Sequence, residues 1–186
     1  MKNCEFRRGI MMVDKNGNDT EITLSSKRKD GKIVIKPSPN GDSRTKLKYC
    51  TREDIDADIM EHIRDVQLGM NVLAKKIAQA GMLHDKTKVI DKEEYIDLVF
   101  NDVEDEEFLE SDWWFNHIHK ERHHLNANCP VDVNFIDVME MLVDVIMAGK
   151  GRKGFVDYNE LNLDSSVLVR AYWNTVKLLD DLVVVK

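Results

Sequence analysis

An apolar residue recurs every three or four positions along residues 55–77, a spacing that only an α-helix turns into one continuous face. The residues of this stripe are Ile55, Ile59, Ile63, Val66, Met70, Leu73 and Ile77. Thr51 and Asp54 precede the stripe with the spacing of a capping box, in which Asp takes the place that Glu usually holds. The sequence therefore predicts an amphipathic helix, or a pair of helices, with one buried face.

Four further segments show helical periodicity, at about residues 92–100, 112–126, 132–148 and 163–182. The last of these has a suitable N-cap residue in Asn162 or Asp164. Because these segments follow one another with short connections, residues 51–186 are predicted to form a helical domain. The fold class is mainly α, a bundle of about five to six helices.

The first 50 residues have a different pattern, in which short alternating segments are separated by turn residues. Asn16-Gly17 lies between two such segments, and both residues tolerate the positive φ that a tight hairpin requires. A second turn at Asp30-Gly31 precedes a third short segment at residues 32–36. Residues 1–50 are therefore predicted to form a small antiparallel β meander attached to the helical domain.

The two parts also differ in charge, although the whole chain carries a net charge of −7. Residues 1–52 contain 13 Lys and Arg against 6 Asp and Glu, whereas residues 53–186 contain 14 against 28. The basic arm could attract a phosphate ligand, or it could pack against the acidic domain. The acidic domain argues against a long nucleic-acid-binding surface.

Several protein classes are excluded by the composition. No segment approaches about 18 uncharged apolar residues, so no membrane span is expected. The charged N-terminus does not resemble a secretory signal. Cys4, Cys50 and Cys129 are far apart and form no CxxC pair, so neither a disulfide framework nor a thiolate metal site is indicated. We expect a cytoplasmic protein.

All six histidines lie between residues 62 and 124, and four of them fall within the eight residues His117-Ile-His-Lys-Glu-Arg-His-His124. Imidazole is a common metal ligand near neutral pH, and carboxylates complete such sites. Asp85 directly follows His84, and Asp137, Glu140 and Asp144 share one face of a predicted helix. This pattern predicts a metal site.

The segment His84-Asp85-Lys86-Thr87-Lys88 resembles the His-Asp pair of the HD superfamily of metal-dependent phosphohydrolases. The segments EHIRDVQ, HDKTK, HIHKERHH and FIDVMEMLVD are similar, in order and spacing, to an uncharacterised family of HD-like proteins from phages and bacteria. The resemblance covers about residues 55–150 and implies an HD-like helical bundle.

The resemblance implies a site for one or two divalent ions, chosen from Mn, Fe, Co, Mg and Zn. The implied ligands of the first ion are His62, His84, Asp85 and Asp144. A second ion would be held by His117, His123 and His124, with Asp85 as the bridging ligand. Asp137 and Glu140 would orient the N–H groups of the histidine ligands.

Substrate-binding groups are implied in the same way. Asp85, Lys88 and Arg122 would act in catalysis, with Lys88 and Arg122 offsetting charge on the substrate phosphate. Lys150 and Arg152 lie in a Gly-rich segment after the predicted helix and are further candidates for binding that phosphate. The alternative for these two residues is an ordinary helix C-terminus.

The 22 residues between His62 and His84 limit this ligand set. One straight helix would separate the two side chains by about 33 Å. They can bind the same ion only if the chain turns between them, and Gly69 and Gly81 are the available break points. An unbroken helix over residues 53–82 would exclude His62.

The preferred hypothesis is a divalent-metal-dependent phosphohydrolase that acts on a nucleotide or a related phosphate ester. The alternative is a catalytically degenerate HD scaffold, a phage-encoded module that binds a host protein or a nucleotide in the host cytoplasm. Under both hypotheses the partner is a phosphorylated small molecule or a host protein, and no membrane is involved. The sequence leaves open whether the protein is a homo-oligomer.

Overall fold

The computed structural model describes residues 10–13, 19–22, 32–35, 51–101 and 103–185. The chain divides into two units, Met1–Lys32 and Ile33–Lys186. In the first unit, strands β1 (Ile10–Val13) and β2 (Asp19–Ile22) pair antiparallel, with Ile10 opposite Ile22 and Val13 opposite Asp19. The predicted pairing of these segments is confirmed, while the Asn16-Gly17 turn lies outside the described residues.

The third predicted strand does not extend this hairpin. Strand β3 (Ile33–Ile35) pairs in parallel with β4 (Val183–Val185), at the other end of the chain, with Ile33 opposite Val183. The prediction of a three-stranded antiparallel meander within residues 1–50 is therefore wrong for this strand. A parallel pair requires a long connection, which the helical domain provides, and the buried Ile33 belongs to that domain.

Helix α1 (Arg52–Leu83) begins at the predicted capping box. Asp54 N donates to Thr51 Oγ1 over 3.1 Å, and Thr51 N donates to an Asp54 carboxylate oxygen over 2.9 Å. The helix continues through Gly69 and Gly81 for 32 residues, so the chain does not turn at either glycine. The expectation of a buried face is also wrong, because none of its residues is buried.

Six shorter α-helices follow in the described residues: α2 (Lys86–Ile90), α3 (Lys92–Phe100), α4 (Asp105–Glu110), α5 (Asp112–Lys120), α6 (Phe135–Ala148) and α7 (Ser165–Leu182). A π-helical turn (Gly149–Lys153) and a 3-10 turn (Tyr158–Leu161) connect α6 with α7. The predicted mainly α fold is confirmed. None of the described helices combines the length and apolar character that a bilayer crossing requires.

Helix α5 ends at Lys120, six residues earlier than predicted, so His123 and His124 lie in an irregular segment. That segment turns on itself through hydrogen bonds from Leu125 N to His123 O (2.8 Å) and from Asn128 N to His124 O (2.8 Å). The sequence predicted a longer helix because the apolar Leu125 continues the helical spacing. In the structure Leu125 packs into the core from the irregular segment instead.

The main core lies where α6, α7 and the segment between α5 and α6 meet. Its buried residues are Leu125, Val133, Val138, Met141 and Ala171. Each buried side chain of the size of Val, Leu or Met contributes roughly 2 kcal/mol to folding. A partly buried hydrogen bond from Phe135 N to Thr175 Oγ1 (2.9 Å) joins the start of α6 to α7. This packing fixes helix α6, whose other face carries Glu140 and Asp144.

Candidate metal centre

Three segments of the chain bring imidazoles and carboxylates together. The junction of α1 and α2 provides His84 and Asp85. Asp85 has a φ of 53° and is the one non-glycine residue with positive φ among the described residues. This left-handed conformation costs roughly 1–2 kcal/mol for an L-residue. Such conformations persist where surrounding contacts fix the backbone, and they are frequent at functional sites. The conformation of Asp85 turns the chain sharply between the two helices.

The first group of side chains is His84, Asp85 and His123, whose ligand atoms lie within 4.8 Å of one another. His84 Nε2 is 3.5 Å from Asp85 Oδ2, and His123 Nε2 is 3.6 Å from Asp85 Oδ1. Asp144 lies at the same place, with Oδ1 3.4 Å from His84 Nε2 and Oδ2 3.7 Å from His123 Nε2. Two imidazoles and two carboxylates therefore converge on one point.

Glu140 holds the opposite edges of both imidazoles. Its Oε1 atom is hydrogen-bonded to His84 Nδ1 at 3.1 Å and lies 3.3 Å from His123 Nδ1, without good hydrogen-bond alignment. Carboxylates that take the outer N–H of a histidine leave its other nitrogen free to bind a metal. Glu140 therefore lies where the sequence resemblance placed it, beside the histidine rings.

The second group is Asp85, His117 and His124. His117 Nε2 lies 3.5 Å from Asp85 Oδ1 and 2.8 Å from His124 Nε2. Asp85 thus belongs to both groups, the arrangement expected of a carboxylate that bridges two ions. The structure places His123 in the first group, however, and not with His117 and His124.

A buried hydrogen-bond chain fixes the proton of His117. The backbone N and the hydroxyl of Thr87 both donate to Glu121 Oε1, over 2.8 and 2.7 Å. Since its hydroxyl proton is used, Thr87 Oγ1 accepts a hydrogen bond from His117 Nδ1 over 2.6 Å. Trp113 stacks on the same ring at a centroid distance of 4.8 Å. His117 Nε2 therefore carries no proton and lies next to Asp85 and His124, the other two members of the second group.

The charges of the first group are compensated by a proton on His84. Hydrogen bonds to Asp144 and Glu140 raise the pKa of His84 to about 10 against the opposing effect of burial. Burial acts to raise the pKa of Glu140, but the adjacent imidazoles of His123 and His84 outweigh this and lower the pKa to about 2. The hydrogen bond with His84 likewise lowers the pKa of Asp144. This anionic environment would equally favour a cation.

The imidazoles of the second group are uncharged. Burial, followed by the neighbouring His124, lowers the pKa of His117 to about 4. Burial, followed by the neighbouring His123, lowers the pKa of His124 to about 4. A neutral imidazole has a lone pair available, and this is the form that binds a metal.

Three buried atoms in the cluster have no hydrogen-bond partner: Asp85 Oδ1, His123 Nδ1 and His123 Nε2. An unsatisfied buried polar atom costs about 1–3 kcal/mol. A divalent cation bound between the carboxylates and the Nε2 atoms would satisfy Asp85 Oδ1 and His123 Nε2 together. The donor set of imidazole nitrogens and carboxylate oxygens fits Zn, Mn, Fe or Co.

The structure does not bring His62 into this cluster. His62 is exposed on α1, and the helix is unbroken up to Leu83, so about 33 Å of helix separates it from His84. The implied role of His62 as a ligand of the same ion as His84 is therefore wrong. His123 stands in its place.

The contacts of Arg122 and Asp137 also differ from those predicted from the sequence. Arg122 Nε and one terminal nitrogen each donate over 2.8 Å to Asp137, and Arg122 also pairs with Asp132 at 3.0 Å. The hydrogen bonds with Asp137 outweigh burial and raise the pKa of Arg122 above its ordinary value. Asp137 in addition accepts from Asn134 N to complete the capping box of α6. Asp137 therefore holds Arg122, not a histidine, and Arg122 does not face a phosphate.

The remaining predicted cations differ in their surroundings. Lys88 pairs with Asp85 at the edge of the cluster. Lys150 and Arg152 are exposed on the π-helical turn that follows α6, and neither forms a hydrogen bond or ion pair within the described residues. The neighbouring Lys153 instead pairs with Glu160 at 3.1 Å.

Sequence reasoning missed Thr87 and Glu121, which orient His117. Both lie inside the segments HDKTK and HIHKERHH that carry the resemblance, and Glu121 stands four residues after His117. The sequence contains these residues but no signal of their pairing, because 34 positions separate them in the chain.

Comparison with known proteins finds a match to one protein family. No curated protein and no solved structure matches the chain significantly. The sequence model of one protein family matches residues 51–178, which include every residue of the cluster. The chain belongs to this family, described as a family of unknown function, DUF5662.

Proposed function

We propose that the protein is a divalent-metal-dependent phosphohydrolase that acts on a nucleotide or a related phosphate ester. The observation that carries the proposal is the convergence of four imidazoles on the carboxylate of Asp85: the Nε2 atoms of His84, His117 and His123 lie 3.5–3.6 Å from it, and a ring nitrogen of His124 lies within 4.8 Å. The order of these residues along the chain also resembles that of the HD superfamily, and the proposal includes membership of it.

The side chains of the cluster would divide the work. His84, His123 and Asp144 would hold one ion, His117 and His124 a second, and Asp85 would contact both. Bound there, divalent cations supply Lewis-acid polarisation of a phosphoryl group and activation of water. Glu140 keeps the His84 ring oriented, and Thr87 keeps the lone pair of His117 directed inward. Lys88 lies beside Asp85 and would offset negative charge on the phosphate.

The test is metal analysis of purified full-length protein, followed by a phosphate-release screen over nucleotides and simple phosphate esters with Mn, Zn, Co, Fe and Mg. We expect one or two bound ions per chain and metal-stimulated release. Asp85→Asn should abolish both, because Asp85 contacts both groups. His119→Ala is the matched control, since His119 is exposed and hydrogen-bonded only to Phe115 O in its own helix. Protein without bound metal and without metal-stimulated release would refute the proposal.

A metal-binding scaffold without hydrolytic activity is the second candidate. It is favoured by the engagement of Arg122 with Asp137 and Asp132, which leaves the cluster without the arginine expected to bind phosphate. This candidate predicts stoichiometric metal without phosphate release, together with capture of a host protein or a nucleotide. Capture that survives the substitution Asp85→Asn would favour it over the enzyme.

The proposal places the protein in the cytoplasm. The chain has three cysteines, at positions 4, 50 and 129, and Cys129 is a free thiol. Free thiols are typical of reducing compartments. Cell fractionation with an antibody against the full chain would test the location.

A further inference from the structure

A pocket of about 330 Å³ opens between the C-terminal part of α1 and helix α6, directly beside the histidine cluster. His84, Glu140 and Asp144 form one wall. The rest of the lining is almost entirely apolar: Ile77, Ala80, Ile136, Met139, Val143 and Met147. The volume lies within the range of pockets that bind small organic molecules.

The apolar lining restricts what can occupy the pocket next to the cluster. A polar group placed against these walls would lose its hydrogen bonds to water without replacement. An aliphatic or aromatic group would gain from burial instead. The polar wall and the apolar walls together match a molecule with a charged end and an apolar body.

We propose that this pocket receives the apolar organic group of the substrate, so that, among the phosphate esters of the proposed function, esters of aliphatic or aromatic alcohols are preferred over nucleotides, whose sugar is polar. The assignment of the phosphate to the cluster rests on the proposed function. The preference of the pocket for apolar groups does not depend on it, and can be measured without metal or hydrolysis.

The first measurement uses EDTA-treated full-length protein and the neutral alcohols 1-butanol, 1-pentanol and 1-hexanol. Binding is followed by NMR of the methionine methyl groups, because Met139 and Met147 line the pocket. Each added methylene should lower the Kd about fourfold. Affinity that does not increase with chain length would overturn the proposal.

Gly81→Leu is the variant that tests the location. Gly81 lines the pocket, and a Cβ there would meet no atom within 4 Å, so the larger side chain can enter the space. Gly69→Leu is the matched control on the same helix, with equally open surroundings and no part in the pocket. Gly81→Leu should abolish alcohol binding, and Gly69→Leu should leave it unchanged. Equal effects would overturn the proposal.

A variant with a milder change covers the case in which Gly81→Leu fails to fold. Val143→Thr keeps a similar shape but places a hydroxyl in the apolar wall, and should weaken hexanol binding several-fold. Unchanged hexanol binding would contradict the location of the binding site in this pocket.

The second measurement links the pocket to the phosphate. On Mn-loaded protein, hexylphosphonate should bind more tightly than methylphosphonate, again by about fourfold per methylene. Equal affinities would overturn the assignment of the substrate class. If the alcohols bind as expected but no phosphate ester is hydrolysed, the proposed function fails while the pocket assignment stands.

A second, independent observation concerns the N-terminal part of α1. Its apolar stripe is largely open to solvent: Ile59 is 44%, Ile63 41%, Val66 50% and Met70 62% exposed. With Leu73, these residues alternate in steps of four and three, the a/d spacing of a coiled-coil seam. A helix with such an exposed stripe is typical of a surface that pairs with another helix.

The charges along α1 favour a second copy in one orientation. Residues 52–65 contain six acidic residues and two arginines, whereas residues 66–83 contain only Lys75 and Lys76 as charged residues. In an antiparallel pair the acidic half of each helix faces the basic half of the other, but in a parallel pair the acidic halves repel. We infer that the protein forms a homodimer through antiparallel pairing of α1.

Analytical ultracentrifugation of the full chain tests this inference, with a dimer expected at low salt. Val66→Glu should give monomer, whereas Val131→Glu, at a position that is 86% exposed outside α1, should not. Lys75→Glu combined with Lys76→Glu should weaken the dimer several-fold, because both halves of the helix then carry the same charge. A wild-type monomer at all concentrations, or no effect of the lysine substitutions, would overturn the antiparallel dimer.

Discussion

The unprotonated Nε2 atom of His117 lies 3.5 Å from Asp85 Oδ1, so that a lone pair faces a carboxylate oxygen. Two electron-rich atoms repel at this distance unless a proton or a cation lies between them. The proton of His117 is held on the other side of the ring by Thr87. Without a cation, His117 Nε2 can accept a hydrogen bond from His124 Nε2 at 2.8 Å, whereas the buried Asp85 Oδ1 has no hydrogen-bond partner. A cation bound beside Asp85 Oδ1 would satisfy that atom.

Thr87→Val should weaken metal binding to the group of Asp85, His117 and His124 by about 10- to 100-fold, since the orienting partner of His117 is lost. The group around His84 should keep its affinity. Titration calorimetry of Mn or Zn into EDTA-treated protein measures both. Thr87→Ser retains the hydroxyl and serves as the control, and equal metal affinities of Thr87→Val and Thr87→Ser would contradict the orienting role.

Asp137→Asn should lower the free energy of unfolding by about 3 kcal/mol, because it breaks a two-point ion pair with Arg122 in which the carboxylate is buried. Asp132→Asn is the matched control on the same arginine, where the exposed partner should contribute less than about 1 kcal/mol. Urea unfolding measures both. Similar losses for the two variants would show that the buried pair contributes no more than the exposed one.

Gly149→Ala should destabilise the protein by about 1–3 kcal/mol. A Cβ at this buried position would lie 2.8 Å from Phe155 O, a backbone atom that cannot move without shifting the turn after α6. Gly151→Ala, two residues away, would meet no atom within 4 Å and should leave the free energy of unfolding unchanged or slightly raised. Thermal unfolding compares the two variants, and equal melting temperatures would contradict the contact at Gly149.

Asp164→Ala should reduce stability in a pH-dependent manner. Asp164 caps α7 by accepting from Ser166 N at 2.7 Å, and hydrogen bonds from the Ser166 side chain and backbone lower its pKa from the ordinary 3.8. Since the folded state favours the carboxylate, its stabilising effect is present above pH 3.8 and is lost as the pH falls through the lower folded value.

The difference between wild type and Asp164→Ala, measured by urea unfolding, should therefore be larger at pH 6 than at pH 3. Asp164→Asn keeps a capping oxygen without a titrating group and should show a constant difference from Asp164→Ala. A wild-type advantage over Asp164→Ala that does not shrink at pH 3 would contradict the role of the charge.

Local signals in the sequence predicted the longer helices, whereas the short helices α2 and α4 were not predicted and α5 ends six residues before its predicted end. The capping box at Thr51, the cap at Asp164 and the segment 92–100 all lie where the sequence predicted. The signals failed where distant parts of the chain meet. Strand β3 pairs with a strand about 150 residues away. The apolar stripe of α1, which the sequence predicted to be buried, is largely exposed.

The sequence by itself determined the longer helices, the hairpin pairing and the residue types of the candidate centre. These depend on caps and periodicities that act within about four residues, and on the chemistry of His and Asp. Only the tertiary structure decided that His123 takes the place expected for His62, that Asp137 binds Arg122, and that Thr87 and Glu121 fix the proton of His117. The physical reason is that each of these contacts joins segments whose separation in space is set by the length of α1 and the packing of α6, and no local pattern encodes those distances.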